Sequence, residues 1–268
     1  MRGTAFMTAV QIEEETIPAA KLNSLTSSYF LPQIITTHST LDIHSNSLST
    51  TFYKTSLQAT SKMRLPYAPS NPPPDADPST TEIYARIAAR RHPRPLIPLD
   101  LSLLHSPPVA DGWNSFLGAI RSRTILPGAL LELSVCRVAV LNGAVYEWNA
   151  HAPLALKDGV TADELRAVRE VEATTTDAGK EALGRSVLSE VQRAVVRYTD
   201  EMTLRVRVEE ETFERLRTVG LDEREIVELT TGVAAYNCVS RVLVALDVGE
   251  NNGKEMKSVE ELVASLSR

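Results

Sequence analysis

The chain has 268 residues, of which 43% are hydrophobic and 23% are charged, and its formal net charge at pH 7 is -6. This length and composition are ordinary for a globular protein with one sizeable core or two small ones, and the negative charge argues against a general nucleic-acid binder. No uninterrupted apolar run approaches the ~20 residues that a membrane helix needs, so no membrane partner is expected.

Residues 1–62 are rich in Ser and Thr and show little hydrophobic periodicity. Two interpretations stay open: a disordered extension, or an over-extended gene product whose true start is Met63. A mitochondrial presequence is a further option, but the acidic run at 13–15 argues against it because such presequences avoid acidic residues. Residues 63–78 contain several prolines and are predicted to form an extended arm that cannot be helical.

The remainder, residues 79–268, is predicted to form one helical domain. Ser79 and Glu82 have the spacing of a capping box at the start of a first helix, which should stop at His92 before Pro93. Capping and hydrophobic spacing predict further helices over 99–104, from 107 to about 123, on both sides of 142–143, from 161, and over 186–202, 212–219, 222–246 and 259–266. No strand partner is visible for the Val-rich stretch at 204–208, so the fold class is all-α.

The region from Glu132 to His151 concentrates the polar residues of interest. Apolar residues recur at helical spacing before Asn142-Gly143, a pair that tolerates the positive φ of a tight bend. In a close antiparallel hairpin, a residue about ten before the bend faces one about ten after it. This geometry places Glu132 within about one turn of His151, and Glu147 shares a helix face with His151 because the two are four residues apart.

Two carboxylates and one imidazole would therefore converge inside an otherwise apolar helix pair. Such a site can hold a proton at neutral pH and transfer it. Glu132 lies inside an apolar pattern and needs a partner, because burying an unpaired carboxylate costs several kcal/mol. The sequence offers two partners: Arg137, five residues on, and His151 across the bend.

The spacing in this hairpin resembles the carboxymuconolactone decarboxylase/alkylhydroperoxidase D family. The redox branch of that family has the pattern Glu-x11-Cys-x2-Cys-x3-His, which here falls on Glu132, Ala144, Glu147 and His151, so both cysteines are missing. The decarboxylase branch instead has a glutamate four residues before its histidine, as in Glu147-x3-His151. The resemblance implies an alkylhydroperoxidase D-like helical bundle built around this hairpin, and a dimer- or trimer-based homo-oligomer.

The leading functional hypothesis is an enzyme of the carboxymuconolactone decarboxylase type that acts by acid–base chemistry on a small carboxylated or lactone-like molecule. In it, His151 is the acid/base, Glu147 the second proton carrier and Glu132 the group that orients His151. Residues expected to bind substrate are the aromatic side chains near the hairpin and one arginine, namely Tyr146, Trp148, Trp113 and Arg137. Two alternatives remain: a peroxidase-like antioxidant protein, and a non-catalytic oligomeric binding protein.

Other site types lack their motifs. The sequence has no phosphate-binding glycine loop, no His-Glu-x-x-His pair and no Gly-x-Ser-x-Gly element, so neither a cofactor nor a metal is predicted. The two cysteines, Cys136 and Cys238, both fall in apolar helical patterns and are expected to be buried reduced thiols. A cytoplasmic location is expected, or a mitochondrial one if the N-terminal segment is a presequence.

Overall fold

The computed structural model describes residues 63–266, and the hypotheses about residues 1–62 therefore lie outside the described residues. The described chain contains helices and no β-strand, which confirms the all-α prediction. The helices are α1 Pro78–Arg91, α2 Pro98–Leu103, α3 Pro107–Ser122, α4 Gly128–Leu141, α5 Val145–Lys157, α6 Ala162–Glu170, α7 Asp177–Arg185, α8 Glu190–Arg205, α9 Glu210–Thr218, α10 Glu223–Leu246 and α11 Val259–Leu266.

Helix α4 lies at the centre of the core, where it packs against α5, α6, α8 and α10. All residues from 131 to 139 are buried, so this helix has no solvent-facing side along that stretch. A helix buried all round must pair its polar side chains, because an unpaired buried polar group is costly. Ser134 accordingly donates a hydrogen bond to the Leu131 carbonyl at 2.7 Å, and Arg137 forms an ion pair with Asp200 of α8.

The predicted hairpin is formed by α4 and α5. Gly143 takes a φ of +61° at the bend, and the Ala144 amide donates to the Ala139 carbonyl at 2.8 Å to close the turn. Only a residue without Cβ adopts such a φ at no steric cost, which explains why glycine stands here. The Asn142 side chain then donates to Ser240 of α10 at 2.7 Å, which fixes the turn against the longest helix.

Helix α10 begins with the capping box predicted for Asp222 and Glu225. The Glu225 amide donates to Asp222 at 2.8 Å, and the Asp222 amide donates to the Glu225 carboxylate at 3.0 Å. By length and composition alone α10 is apolar enough to span a membrane. Its packing against α3, α4, α5 and α8 accounts for that apolar character, as in the core helix of a globular domain.

The Pro-rich arm before α1 is attached to the helical body. Its Arg64 amide donates to the Leu246 carbonyl at 3.0 Å, and its Ala68 amide donates to the Leu101 carbonyl at 3.1 Å. Helix α1 also begins earlier than the capping box at Ser79 predicts. Its first residue is Pro78, and the Asp77 carboxylate accepts the Thr80 amide at 3.0 Å, because Asp before Pro is a strong helix start.

One helix was not anticipated from sequence spacing. This short helix, α7, occupies residues 177–185 between α6 and α8. Its N-cap is Thr176, whose hydroxyl accepts the Gly179 amide at 3.0 Å. The segment has few large apolar residues, so its helical periodicity is weak.

Candidate functional site

The hairpin brings Glu132 and His151 into direct contact. The Oε2 atom of Glu132 lies 2.7 Å from Nδ1 of His151, although the two residues are 19 apart in the chain. Glu132 is 3% exposed and the His151 side chain 13% exposed, so the contact lies at the edge of the core. Hairpin geometry predicted that Glu132 and His151 face each other across the bend, and this prediction is confirmed.

Arg121, at the end of α3, completes the pairing of Glu132. Its Nη1 atom donates to Oε1 of Glu132 at 3.0 Å and to the hydroxyl of Tyr236 at 2.8 Å. The suggestion that Arg137 pairs with Glu132 is wrong. Arg137 lies on another side of α4, where Asp200 and the carbonyls of α6 engage its guanidinium.

The charge on Glu132 follows from these contacts. Burial raises the pKa of its carboxyl, but the hydrogen bond with His151 and the charge of Arg121 outweigh burial and leave the pKa below its usual value. Glu132 is thus a carboxylate at neutral pH. A carboxylate at 2.7 Å requires the proton on Nδ1 of His151, which leaves Nε2 as the nitrogen that exchanges protons with a ligand.

Glu147 has the opposite character. It is 1% exposed, and within the described residues neither of its carboxyl oxygens has a hydrogen-bond partner. Burial raises the pKa of Glu147 well above its usual range, because the charged form cannot be solvated there. The side chain is therefore a neutral carboxylic acid at neutral pH, able to donate a proton.

A cavity of about 400 Å³ connects these groups. Glu147, His151, Arg121 and Tyr236 all line it, so both polar residues of α5 border the same space. The other walls are mostly apolar side chains from α2, α3, α5 and α10, among them Leu99, Leu117, Leu154 and Val239. A small, mostly apolar cavity with a few convergent polar groups is the usual form of a small-molecule site.

Of the four predicted substrate-binding residues, the structure brings two to the cavity. Trp113 and Tyr146 line its wall, as expected. Trp148 is wholly buried away from the cavity, where its indole N–H donates to the Lys257 carbonyl at 2.9 Å. Arg137 is equally buried in its ion pair with Asp200, so neither Trp148 nor Arg137 lines the cavity.

Three more arginines, Arg90, Arg91 and Arg94, stand at the end of α1 and line the same cavity. Arg91 is neutralised by Asp100, which accepts two hydrogen bonds from it at 2.7 and 2.8 Å. Among the described residues, no hydrogen-bond acceptor engages the side chain of Arg90 or Arg94. Desolvation and then the neighbouring Arg91 charge lower the pKa of Arg90 by more than the charge of Asp100 raises it.

The cysteines lie outside this arrangement. Cys136 is buried on α4, and desolvation, together with the nearby Glu132 carboxylate, raises the pKa of its thiol well above the usual value. Cys238 is exposed on α10, which corrects the expectation that both thiols are buried. Helical periodicity failed here because α10 presents an apolar stripe to solvent as well as to the core.

No metal-binding group stands out in the described part of the chain. Residues 63–266 contain no set of three or more His, Cys, Asp or Glu side chains arranged to hold a metal ion. Near the end of α1, Arg90 and Arg94 supply positive charge at the cavity that no ion pair among the described residues neutralises. Guanidinium groups bind anions. The donor set therefore suits a negatively charged ligand.

The match to known proteins falls on the same hairpin. Residues 107–190 match the model of the carboxymuconolactone decarboxylase family. The family region runs from the start of α3 to the start of α8 and includes Arg121, Glu132, Glu147 and His151, whereas Arg90 and Tyr236 lie outside it.

Solved structures share the fold at low identity. The chain is similar to the alkylhydroperoxidase AhpD core of an uncharacterized peroxidase-related protein from Ralstonia eutropha JMP134, with a TM-score of 0.55 and 16% identity over 69% of this chain and 90% of that chain. An uncharacterized peroxidase-related protein from Silicibacter sp. TM1040 matches with a TM-score of 0.49 and 18% identity over 73% of this chain and 98% of that chain. No curated protein matches the chain. The likeness to the Ralstonia eutropha structure confirms the alkylhydroperoxidase D-like fold.

The sequence did not reveal three features of the cavity: the presence of Arg90, the pairing of Arg121 with Glu132, and the presence of Tyr236. Arg121 was visible only as one of several arginines at a helix end, with no spacing that connects it to Glu132. Tyr236 was visible only as part of the apolar pattern of α10. These contacts cross 11 and 115 residues of sequence, so only the packing of α3 and α10 on the hairpin reveals them.

Proposed function

We propose that this protein is an enzyme that uses its own acidic and basic side chains to move protons on a small carboxylated molecule, as a decarboxylase or a related lyase or isomerase. The match of residues 107–190 to the family model supports the general type, and the cavity supports the chemistry. The observation that carries the proposal is the opposite protonation of two glutamates, one of which lines the cavity while the other is bonded to His151, which lines it. Two like groups whose surroundings push their pKa values apart supply an acid and a base at the same pH.

His151 is the group that exchanges protons with the substrate. The ionised Glu132 holds the Nδ1 proton, orients the ring and stabilises the imidazolium that forms when Nε2 accepts a proton. In an isomerisation, His151 takes a proton from one carbon and Glu147 returns one at another position. In a decarboxylation, the bond to the carboxylate breaks, carbon dioxide leaves, and the electron pair left on carbon takes the Glu147 proton.

Glu147 then needs a new proton before the next decarboxylation. His151 is the exposed member of the pair, so it connects the cavity with solvent and can supply that proton. Proton balance holds, since each carbon dioxide released is accompanied by one proton taken up from water. Glu147 stores this proton because its buried site disfavours the carboxylate.

The arginines Arg90 and Arg94 select an anionic substrate. Both residues line the cavity, and within the described chain no hydrogen-bond acceptor engages their side chains. A carboxylate can accept two parallel hydrogen bonds from one guanidinium, which fixes its orientation as well as its position. The volume of about 400 Å³ sets the size class, a small metabolite rather than a polymer.

A substrate panel tests the proposal. Wild-type protein, His151→Ala, Glu147→Gln and the surface control Arg86→Met would be incubated in D₂O with carboxylated lactones and β-keto acids. Carbon dioxide release and deuterium incorporation would be followed by NMR. We expect at least one compound to react, with rates about 10²- to 10⁴-fold lower in the two site variants and unchanged in the control.

Two outcomes contradict the proposal. Turnover that persists in both site variants would remove the assigned acid and base. A panel member that binds in a thermal-shift assay but never reacts with the wild type would favour the non-catalytic binding protein.

The peroxidase alternative is disfavoured by the placement of the thiols. The positions that carry the redox pair in the related pattern are Ala144 and Glu147. Cys136 is wholly buried with a raised thiol pKa, and the reactive form of a thiol is the thiolate. Cys238 is exposed on the outer face of α10 and does not line the acid–base cavity.

A further inference from the structure

We propose that Tyr236 is an additional catalytic residue, whose hydroxyl donates a hydrogen bond to the oxygen that becomes negative when the substrate forms an enolate. This inference rests on the proposed acid–base function and identifies the kind of intermediate that the site stabilises. It assigns a role to a helix, α10, that lies outside the family region.

Tyr236 is positioned at the cavity. It is 2% exposed, yet its side chain lines the cavity together with Glu147 and His151. Its ring stands edge-to-face against the His151 ring, with centroids 4.8 Å apart and an interplanar angle of 80°. The packing of α10 on α5 therefore holds the Tyr236 ring beside His151.

The Tyr236 hydroxyl has one hydrogen-bond partner among the described residues. The Tyr236 oxygen accepts a hydrogen bond from Arg121 at 2.8 Å, and Arg121 also binds Glu132. A phenol has one proton to donate and no acceptor for it exists among the described residues, whereas its accepting side is engaged by a cation. A donor polarised in this way forms stronger hydrogen bonds with a developing negative charge.

The hydroxyl also keeps its proton. Burial raises the pKa of Tyr236 to about 12, against the lowering effect of Arg121. The group therefore stabilises charge by hydrogen bonding and does not act as the acid. This division leaves proton transfer to Glu147 and His151.

The step balances with these groups alone. When a C–H or C–carboxylate bond next to a carbonyl breaks, its electron pair forms the carbon–carbon double bond and the carbonyl π pair moves to oxygen. The departing proton goes to His151, or carbon dioxide leaves, and Tyr236 donates its hydrogen bond to the new oxyanion. On collapse, the pair returns to carbon, which takes a proton from Glu147.

Binding of an enolate mimic tests Tyr236 without a known substrate. The probe is 4-nitrophenolate, whose delocalised oxyanion resembles an enolate and whose absorbance reports its charge state. Benzoate serves as the second ligand, because its carboxylate is the anion that Arg90 and Arg94 suit. Full-length wild type, Tyr236→Phe and Tyr198→Phe would be compared by titration at pH 8.

Tyr236→Phe removes only the hydroxyl, and Arg121 keeps its bond to Glu132, so the variant should fold. We expect it to bind 4-nitrophenolate about 10- to 100-fold more weakly, the range for one hydrogen bond to a charged group, and to bind benzoate as the wild type does. Tyr198 is the matched control, a buried tyrosine of α8 whose hydroxyl bonds Thr230 away from the cavity. Its change to Phe should alter neither ligand.

The outcomes separate this inference from the proposed function. Equal 4-nitrophenolate affinity in wild type and Tyr236→Phe, or no binding of the probe by either, overturns the role of Tyr236. A selective loss in Tyr236→Phe supports it even where the substrate panel shows no turnover, because this measurement depends on binding alone. Where a substrate is found, Tyr236→Phe should lower kcat about 10²- to 10³-fold with little change in KM.

Discussion

Glu132 and Glu147 show how the surroundings of one side chain type decide its chemistry. Both are buried, but Glu132 contacts an arginine and a histidine, whereas Glu147 has no partner among the described residues. The first is a carboxylate and the second a neutral acid at the same pH. The sequence spacing identified both glutamates as site residues but not this difference, since the partner Arg121 comes from a separate helix.

The raised pKa of Glu147 predicts that the stability of the folded protein depends on pH. In the unfolded chain this glutamate ionises near its ordinary pKa of about 4.3, whereas in the folded protein it keeps its proton to higher pH. Between these values the folded state binds more protons, so the free energy of unfolding falls as pH rises, by up to about 1.4 kcal/mol per pH unit. Glu147→Gln removes this dependence.

Urea unfolding at pH 5 and pH 8 measures the effect. We expect Glu147→Gln to be more stable relative to wild type at pH 8 than at pH 5. The control Glu170→Gln, at an exposed position on α6, should show the same small difference at both values. An equal difference for Glu147→Gln at the two pH values would show that Glu147 is already ionised in the folded protein.

At the scale of elements, the α4–α5 hairpin was the most predictable part of the molecule. Asn142-Gly143 defines the bend and 3.6-residue periodicity defines the helices, so the facing of Glu132 and His151 follows from local rules. Side-chain partners were less predictable. The sequence offered Arg137 as a partner of Glu132 and gave no spacing that connects Arg121 with it, yet Arg121 is the arginine that Glu132 contacts.

Arg137 has a structural role that stability measurements can test. It forms an ion pair with Asp200 at 2.6 Å, with both side chains at most 1% exposed, and connects α4 with α8. Replacing it leaves the Asp200 carboxylate buried without its counter-charge. Arg137→Met should lower the free energy of unfolding by about 3–5 kcal/mol.

The matched control is Arg86→Met on α1. Arg86 also pairs with an aspartate, Asp111, at 2.9 Å, but its side chain is 53% exposed. An exposed ion pair contributes about 0–1 kcal/mol, so this variant should be nearly neutral. Similar losses in the two variants would refute a special role for the buried pair, and unchanged stability of Arg137→Met would reopen its assignment as a ligand-binding residue.

For the whole molecule, the cavity is assembled from helices far apart in the chain. Arg90 comes from α1, Arg121 from α3, Glu147 and His151 from α5, and Tyr236 from α10. Local sequence rules found the α5 residues and the all-α class. They could not find the others, because the packing that brings these helices together is not encoded in any short spacing.

The same helix α10 suggests how copies of the molecule associate, and we propose a homo-oligomer that uses its outer face. Its exposed residues at helical spacing are mostly small and apolar and include one charged side chain, namely Val227, Ala234, Cys238, Arg241 and Ala245. Small residues permit close approach of two helices, and an apolar stripe on a long helix is costly to leave in water. Ala234→Glu would place a charge at the centre of the stripe.

Size-exclusion chromatography with light scattering tests the association. Wild-type protein should elute as an oligomer, and Ala234→Glu as a smaller species with its helical content intact. Val187→Glu provides the control, since Val187 is 64% exposed but lies between α7 and α8. It should leave the wild-type mass unchanged, because the new charge lies away from α10. A wild-type protein that is monomeric at all concentrations contradicts the proposal, whereas an Ala234→Glu oligomer of unchanged mass places the interface on another surface.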